Sequence, residues 1–245
     1  MKKRKLFTAA VFLSAGLLLT GCIYKPTTKE CVTGYLENIY HNDTKALTKV
    51  CDMDKDECQK LHDKYIKEEV TALQSALGND NKMSDKAKKA YKSAVETAYS
   101  KADFTVTDVS RTTEDIYSVT VTCKKANIFK PAMDKFDKAI SKMTAVEAGS
   151  MDYNDRVILM SKQIKQVCES DIKYDKEETI KMAVQKDGKE YNFTKKDIIN
   201  LENGLFDIGD EGAKKNKCCK IEKNMIYIKC FRSVDLYSII KKDKN

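Results

Sequence analysis

Tryptophan is missing from the chain altogether, and its 245 residues include only two prolines, nine glycines and two histidines. So little proline and glycine argues against long disordered linkers and for helices joined by short polar loops. Arginine is nearly as scarce: Arg4, Arg111, Arg156 and Arg232 stand among 45 basic residues. Lysine, a flexible point charge, is a poor substitute for arginine's planar fork in phosphate recognition, so no nucleic-acid partner is expected. Gly-x-Ser-x-Gly, His-Glu-x-x-His, a phosphate-binding glycine loop and Cys-x-x-Cys are all absent. With none of the spacings that align a nucleophile, a metal or a phosphate, no catalytic residue, metal site or cofactor is assigned. Beyond residue 22 every apolar run is short and broken by charge, which argues against a spanning helix there.

What the chain does have is concentrated at its start. Lys2, Lys3, Arg4 and Lys5 form a positive segment, Leu6 to Leu19 is an uncharged apolar run, and Leu19-Thr20-Gly21-Cys22 follows. This is the order of a secretion signal, too short for an ordinary membrane span. The four-residue box resembles the lipobox of bacterial lipoproteins, a resemblance that covers the first 22 residues. It implies cleavage after Gly21, a diacylglycerol with palmitate-type chains on the Cys22 sulfur, and residence at the cell membrane on its extracytoplasmic face. Two chains anchor firmly because each buried methylene contributes about 0.8 kcal/mol. Residues 1–21 are read as signal peptide and 22–30 as a lipidated tether.

Removing 21 of 245 residues leaves 224 and takes four of the eight net positive charges with it. That length suits one elaborated domain with a full core. The remaining lysines, including the cluster Lys214, Lys215, Lys217, Lys220 and Lys223, are read as solvated faces, with attraction to anionic lipid or wall polymer as the alternative. Eight cysteines follow Cys22, and an even number in an exported chain invites disulfides. The candidates are Cys218 or Cys219 with Cys230, and Cys51 with Cys58. Cys123 and Cys168 fall on apolar faces, where free cysteine behaves as a small hydrophobe.

Periodicity organises the rest. Val32, Tyr35, Leu36 and Ile39 recur at helical spacing until Asn42-Asp43 breaks the helix, and Ala46, Leu47 and Val50 mark a second, shorter one. Asp52-Met53-Asp54-Lys55-Asp56 has the look of half a calcium loop, but Glu57 replaces the turn glycine and Asp63 the final glutamate. Carboxylates at a helix start are the better reading. A long stripe runs through Cys58, Leu61, Tyr65, Ile66, Val70, Leu73 and Leu77, and Gly78 to Asn81 stops it. Ser84 then caps an antiparallel partner carrying Ala87, Tyr91, Ala94, Val95 and Ala98.

The period next falls to two. Phe104, Val106 and Val109 predict an irregular strand; Tyr117, Val119, Val121 and Cys123 predict a half-buried one, after a turn near Thr113-Glu114-Asp115. Pro131 opens a helix with Met133, Phe136, Ile140 and Met143 inside, and Tyr153 to Cys168 its hairpin partner. Ile180, Met182 and Val184, the turn Asp187-Gly188, and Tyr191 and Phe193 form a second β-hairpin. Ile198, Leu201, Leu205 and Phe206 close it with a short helix. His41 is read as an exposed loop residue and His62 as lying beside the apolar stripe.

The expected class is α+β, an antiparallel sheet packed with several helices. Two stretches, Val32-Thr33-Gly34-Tyr35-Leu36 with Asn42-Asp43 and Ala46-Leu47, and Met182 to Tyr191, resemble the opening helix and final hairpin of bacterial lipoproteins with cystatin-like or NTF2-like domains. Many of those have tryptophan where Tyr191 stands. The resemblance implies such a domain over 31–207 with a helical insertion at about 131–170, and a C-terminal extension over 208–245. It also implies a cone-shaped pocket, for which Tyr35, Tyr117, Tyr191 and Phe193 are candidate lining residues, unless they are simply core. Fold does not carry function across such a family. The expectation is a non-catalytic, membrane-anchored lipoprotein that binds an envelope protein or wall component; the alternative is a small-ligand binder or sensor using that pocket. Adjacent Cys218 and Cys219 are the residues an enzymatic, redox reading would use.

Overall fold

A computed structural model describes residues 27–76, 82–188 and 190–208. The element order is α1 (Thr28–His41), α2 (Thr44–Val50), α3 (Lys55–Ala76), α4 (Asp85–Tyr99), β1 (Asp103–Arg111), β2 (Ile116–Ala126), α5 (Phe129–Ser141), α6 (Ala145–Ser150), α7 (Tyr153–Cys168), β3 (Tyr174–Asp187), β4 (Glu190–Phe193) and α8 (Lys195–Leu205). The class is α+β as expected: one antiparallel sheet in the order β1-β2-β3-β4, packed with helices. No helix among the described residues is long and apolar enough to cross a membrane. The signal, Cys22, Cys218, Cys219, Cys230, the lysine cluster and the C-terminal extension beyond Ile208 lie outside the described residues.

Local chemistry starts each helix. Thr27 and Glu30 form a reciprocal capping box, so α1 begins inside the segment read as tether. Asn42 takes the left-handed conformation that ends α1, and Asp43 caps α2 through Lys45 N at 2.9 Å. Asp54 and Glu57 make the same reciprocal pair at the start of α3, which is what the half calcium loop is for. Ser84 caps α4 through Ala87 N, as its position predicts.

The strict alternation of β2 puts Val119, Val121 and Cys123 on the buried face and leaves Ser118, Thr120 and Thr122 partly solvated. The irregularity in β1 is a bulge at Thr107, which places Val106 opposite Val121 and Val109 opposite Val119. Lys29 of α1 donates to the Thr107 carbonyl at 2.9 Å, tying the bulge to the helix above it. The last hairpin differs by one residue from expectation. Asp187 pairs with Glu190, so the two-residue connection begins at Gly188, whose φ of 57° suits glycine.

Helices α1 and α8 lie on the inner face of the sheet, with α3 and α4 beyond them and α7 and α5 outermost. The core between them carries an aromatic cluster: Tyr40 meets Tyr99 at 5.1 Å and Phe104 at 5.7 Å between ring centroids, and Phe206 stacks on Tyr99 at 5.8 Å. Helices α5, α6 and α7 stand between β2 and β3; α7 packs on α4 as well as on α5, and α6 adds a turn the pattern did not show.

Helix α5 starts two residues ahead of Pro131. Its cap is remote: the Asp207 carboxylate accepts from the backbone N–H of Ile128 (2.8 Å), Phe129 (2.7 Å) and Lys130 (3.0 Å). Phe206 beside it bridges to Ala126, so the residues after α8 lock the start of the insertion to the end of β2. Burial holds the Asp207 carboxyl above its usual range although those amides pull it down.

Candidate functional site

Three of the four residues read as pocket-lining, Tyr117, Tyr191 and Phe193, stand on the inner face of the sheet, and Tyr35 packs on it from α1. Tyr117 stands opposite Val184, and Val184 opposite Phe193, in one cross-strand row. Tyr191 is two residues from Phe193 on that face, and Tyr35 of α1 meets it edge-on at 5.6 Å. Tyr35 is 3% and Tyr191 6% exposed, and Tyr117 and Phe193 are half-buried. The space between α1 and the sheet is therefore filled by the rings expected to line it. Open grooves lie elsewhere. One of about 450 Å³ is lined by Met143, Glu147, Met151, Ile158, Leu159 and Lys162, and one of about 360 Å³ by His41, Lys101, Asp103, Phe104 and Tyr174.

Both histidines are structural donors. His41 is no loop residue: it closes α1, pairs with Glu37 through Nδ1 at 2.5 Å, donates from Nε2 to the Ala102 carbonyl at 2.9 Å, and stacks on Phe104. The Glu37 carboxylate raises its pKa, against the effect of burial. With both ring nitrogens engaged it has no lone pair to offer a substrate. His62 is buried against the apolar stripe as expected, and its Nδ1 donates to the carbonyls of Asn38 and Ile39 in the last turn of α1.

The densest unusual chemistry is a pair of buried carboxyls. Glu69 of α3 is 8% exposed and Glu202 of α8 6%. Tyr99 donates its hydroxyl to Glu202 Oε1 at 2.8 Å, while Glu69 Oε2 and the Tyr40 hydroxyl are buried without a hydrogen-bond partner. Burial lifts Glu202 to about 7, the Tyr99 hydroxyl opposing it. Burial and then the Glu202 charge push Glu69 well above the carboxylate range, with Lys195 pulling the other way. Tyr40, Tyr65 and Tyr99 titrate high for the same reason, burial first. No group of three or more metal-ligating side chains occurs among the described residues.

Cys31, Cys51, Cys58, Cys123 and Cys168 are all free thiols, and all are buried. Cys123 and Cys168 pack as small hydrophobes. Cys51 and Cys58 are both free thiols, and the neighbour that acts most on Cys51 is Cys31. The reason is the turn at Asn42-Asp43, which folds α2 back along α1. A side chain at Gly34 would press on Ala46 and Leu47, so these helices run close and bring the end of α2 to the start of α1. The nearness of Cys51 above all draws the Cys31 thiol down to about 7 against burial, helped by the Tyr191 hydroxyl and Lys186; Cys31 and burial push Cys51 up.

Of these features, the carboxyl pair had a signal in the sequence. Glu69 sits three residues after Ile66 and four before Leu73, and Glu202 four after Ile198 and three before Leu205, so both interrupt an apolar stripe. The nearness of Cys31 and Cys51 had none, because it depends on how tightly α1 and α2 approach.

No family model matches the chain, and no curated protein matches its sequence. Its fold is similar to that of a Bacillus subtilis protein, ycdA, whose crystal structure is described as that of a candidate lipoprotein. The TM-score is 0.53 at 13% identity, over 73% of this chain and 55% of that one. The chain thus spans little more than half the length of that protein, and the likeness is one of fold.

Proposed function

We propose that this is a non-catalytic lipoprotein, anchored to the extracytoplasmic face of the cell membrane through Cys22, which binds an envelope protein or wall component with its α+β body. The observation that carries the reading is the run of basic segment, apolar segment and Leu19-Thr20-Gly21-Cys22. The fold likeness to a candidate lipoprotein supports it. We further read α1 lying across the β1 to β4 meander as a cystatin-like or NTF2-like body with a helical insertion, a reading that the element order favours.

Recognition at the surface is favoured over a sheet-side pocket because Tyr35 and Tyr191 occupy that space themselves. The groove beside α6 and α7 presents Met143, Met151 and Leu159, with Val146 81% exposed nearby, as an apolar face for a partner. Photocrosslinking from residue 146 in intact cells tests this. A discrete adduct that weakens in Val146→Glu, with folding unchanged, is the expected result. A labelling pattern with no discrete partner, unaffected by the substitution, contradicts it.

A further inference from the structure

We propose that Cys31 and Cys51 form an oxidisable dithiol, the site of a disulfide that staples the start of α1 to the end of α2. Three observations meet there. Cys31 lies one turn before Gly34 in α1, and Cys51 lies one turn after Leu47, whose carbonyl its N–H bonds at 2.9 Å, so the hairpin sets the two thiols side by side, and each acts more on the other's proton than any other group does. The thiols are 6% and 8% exposed, at the edge of the core rather than sealed in its centre. The hairpin geometry that brings them together is enforced by close packing of Gly34 on Ala46 and Leu47. Two thiols held side by side need only an oxidant, and an extracytoplasmic compartment supplies one. That last clause rests on the export reading; the geometry does not.

The two sulfurs have different parts. Cys31 lies in the first turns of a 14-residue helix, where the dipole favours a thiolate, with Lys186 close by; Cys51 is the C-cap of α2, where the dipole disfavours one. Cys31 therefore attacks first. With an external disulfide such as oxidised glutathione as co-reactant, the Cys31 thiolate bonds to one glutathione sulfur and expels the other as thiolate. Cys51, its proton passed to solvent, then attacks the Cys31 sulfur, closes the bond within the protein and expels the second glutathione thiolate. Two protein thiols are oxidised, and one external disulfide is reduced to two thiols that take up the two protons. Tyr191, whose hydroxyl also acts on Cys31, and the Tyr35 ring against it place the same corner beside β4.

The test uses the full chain, extracted from membranes in detergent and, separately, reduced and re-equilibrated in glutathione buffer. Free thiols are alkylated in denaturant without reductant and the peptides are mapped by mass spectrometry. The expected result in glutathione buffer is a Cys31–Cys51 linked peptide, with Cys58, Cys123 and Cys168 alkylated. Reduction should then lower Tm by about 6–12 °C, a shift absent from Cys31→Ser. Cys51→Ser should collect glutathione on Cys31, and Cys31→Ser should collect little on Cys51. Alkylation of both residues after oxidation, or linkage of either to Cys58, overturns the proposal. A bond formed in buffer but missing from the membrane-extracted chain supports the site and counts against the export reading.

Discussion

Glu69 and Glu202 stand where the amphipathic pattern asks for leucine, and their cost is visible in how burial holds their protons. The sign of the pH effect follows. Unfolded, both carboxyls ionise in the ordinary glutamate range. Folded, burial keeps the Glu202 proton to about 7 and lifts Glu69 well above the carboxylate range. Between those limits the folded state binds more protons than the unfolded one. Their stabilising contribution is full below the unfolded pKa and is lost as pH rises through the folded values. Urea midpoints measured from pH 4.5 to 8 should fall, and Glu202→Gln, which cannot ionise, should flatten that fall. A midpoint that rises across the window would show the pair to be ionised. At Asp207 one carboxylate serves three amides of α5. Asp207→Ala should cost about 2 kcal/mol, read as a lower Tm with secondary structure retained. Neither role was legible as such. A carboxylate just past a helix can cap anything, and only the fold brings Asp207 back to Ile128.

Among the elements, agreement follows the strength of the local signal. The stripes in α3, α4 and α7 and the strict alternation in β2 are packed as their periods require, and the skipped beat between Val106 and Val109 is a real bulge. Signals fail where stability comes from a neighbour. The first half of β3, Tyr174 to Thr179, is polar and shows no alternation. It is a strand because it pairs with β2, where Glu177 and Glu178 meet Lys124 and Lys125 at 3.9 and 3.6 Å. His41 looked like a loop residue because nothing in its sequence context reveals Phe104 or the Ala102 carbonyl. Two glycines separate packing from helix propensity at this scale. A Cβ at Gly204 of α8 would overlap Ile180 and crowd Cys123, whereas one at Gly149 of α6 would meet nothing within 4 Å. Gly204→Val should destabilise by about 2–3 kcal/mol, and Gly149→Ala should stabilise by about 0.5–1 kcal/mol, both measurable by thermal melts. Equal effects at the two positions would contradict the close approach of α8 to the sheet.

At the scale of the whole molecule, the described body is a four-stranded meander with its inner face sealed by α1 and α8 and a helical insertion built out from α4. The antiparallel sheet and the helices between its strands were legible from the change of period. The filling of the expected pocket was not, because ring against ring at Tyr35 and Tyr191 is set by the angle of α1, which no spacing encodes. With Tyr35 and Tyr191 filling the sheet-side space, the proposed function rests on the surface and on the anchor that Cys22 would provide, so the account turns on Cys22. Metabolic labelling with a palmitate analogue, followed by membrane fractionation and N-terminal mapping, tests it most directly. The account predicts a membrane-bound product that starts at a lipid-modified Cys22 and carries the label, and a Cys22→Ser chain that carries none. A native product with Met1 and the leader still in place in the cytosol, or label that survives Cys22→Ser, would contradict it.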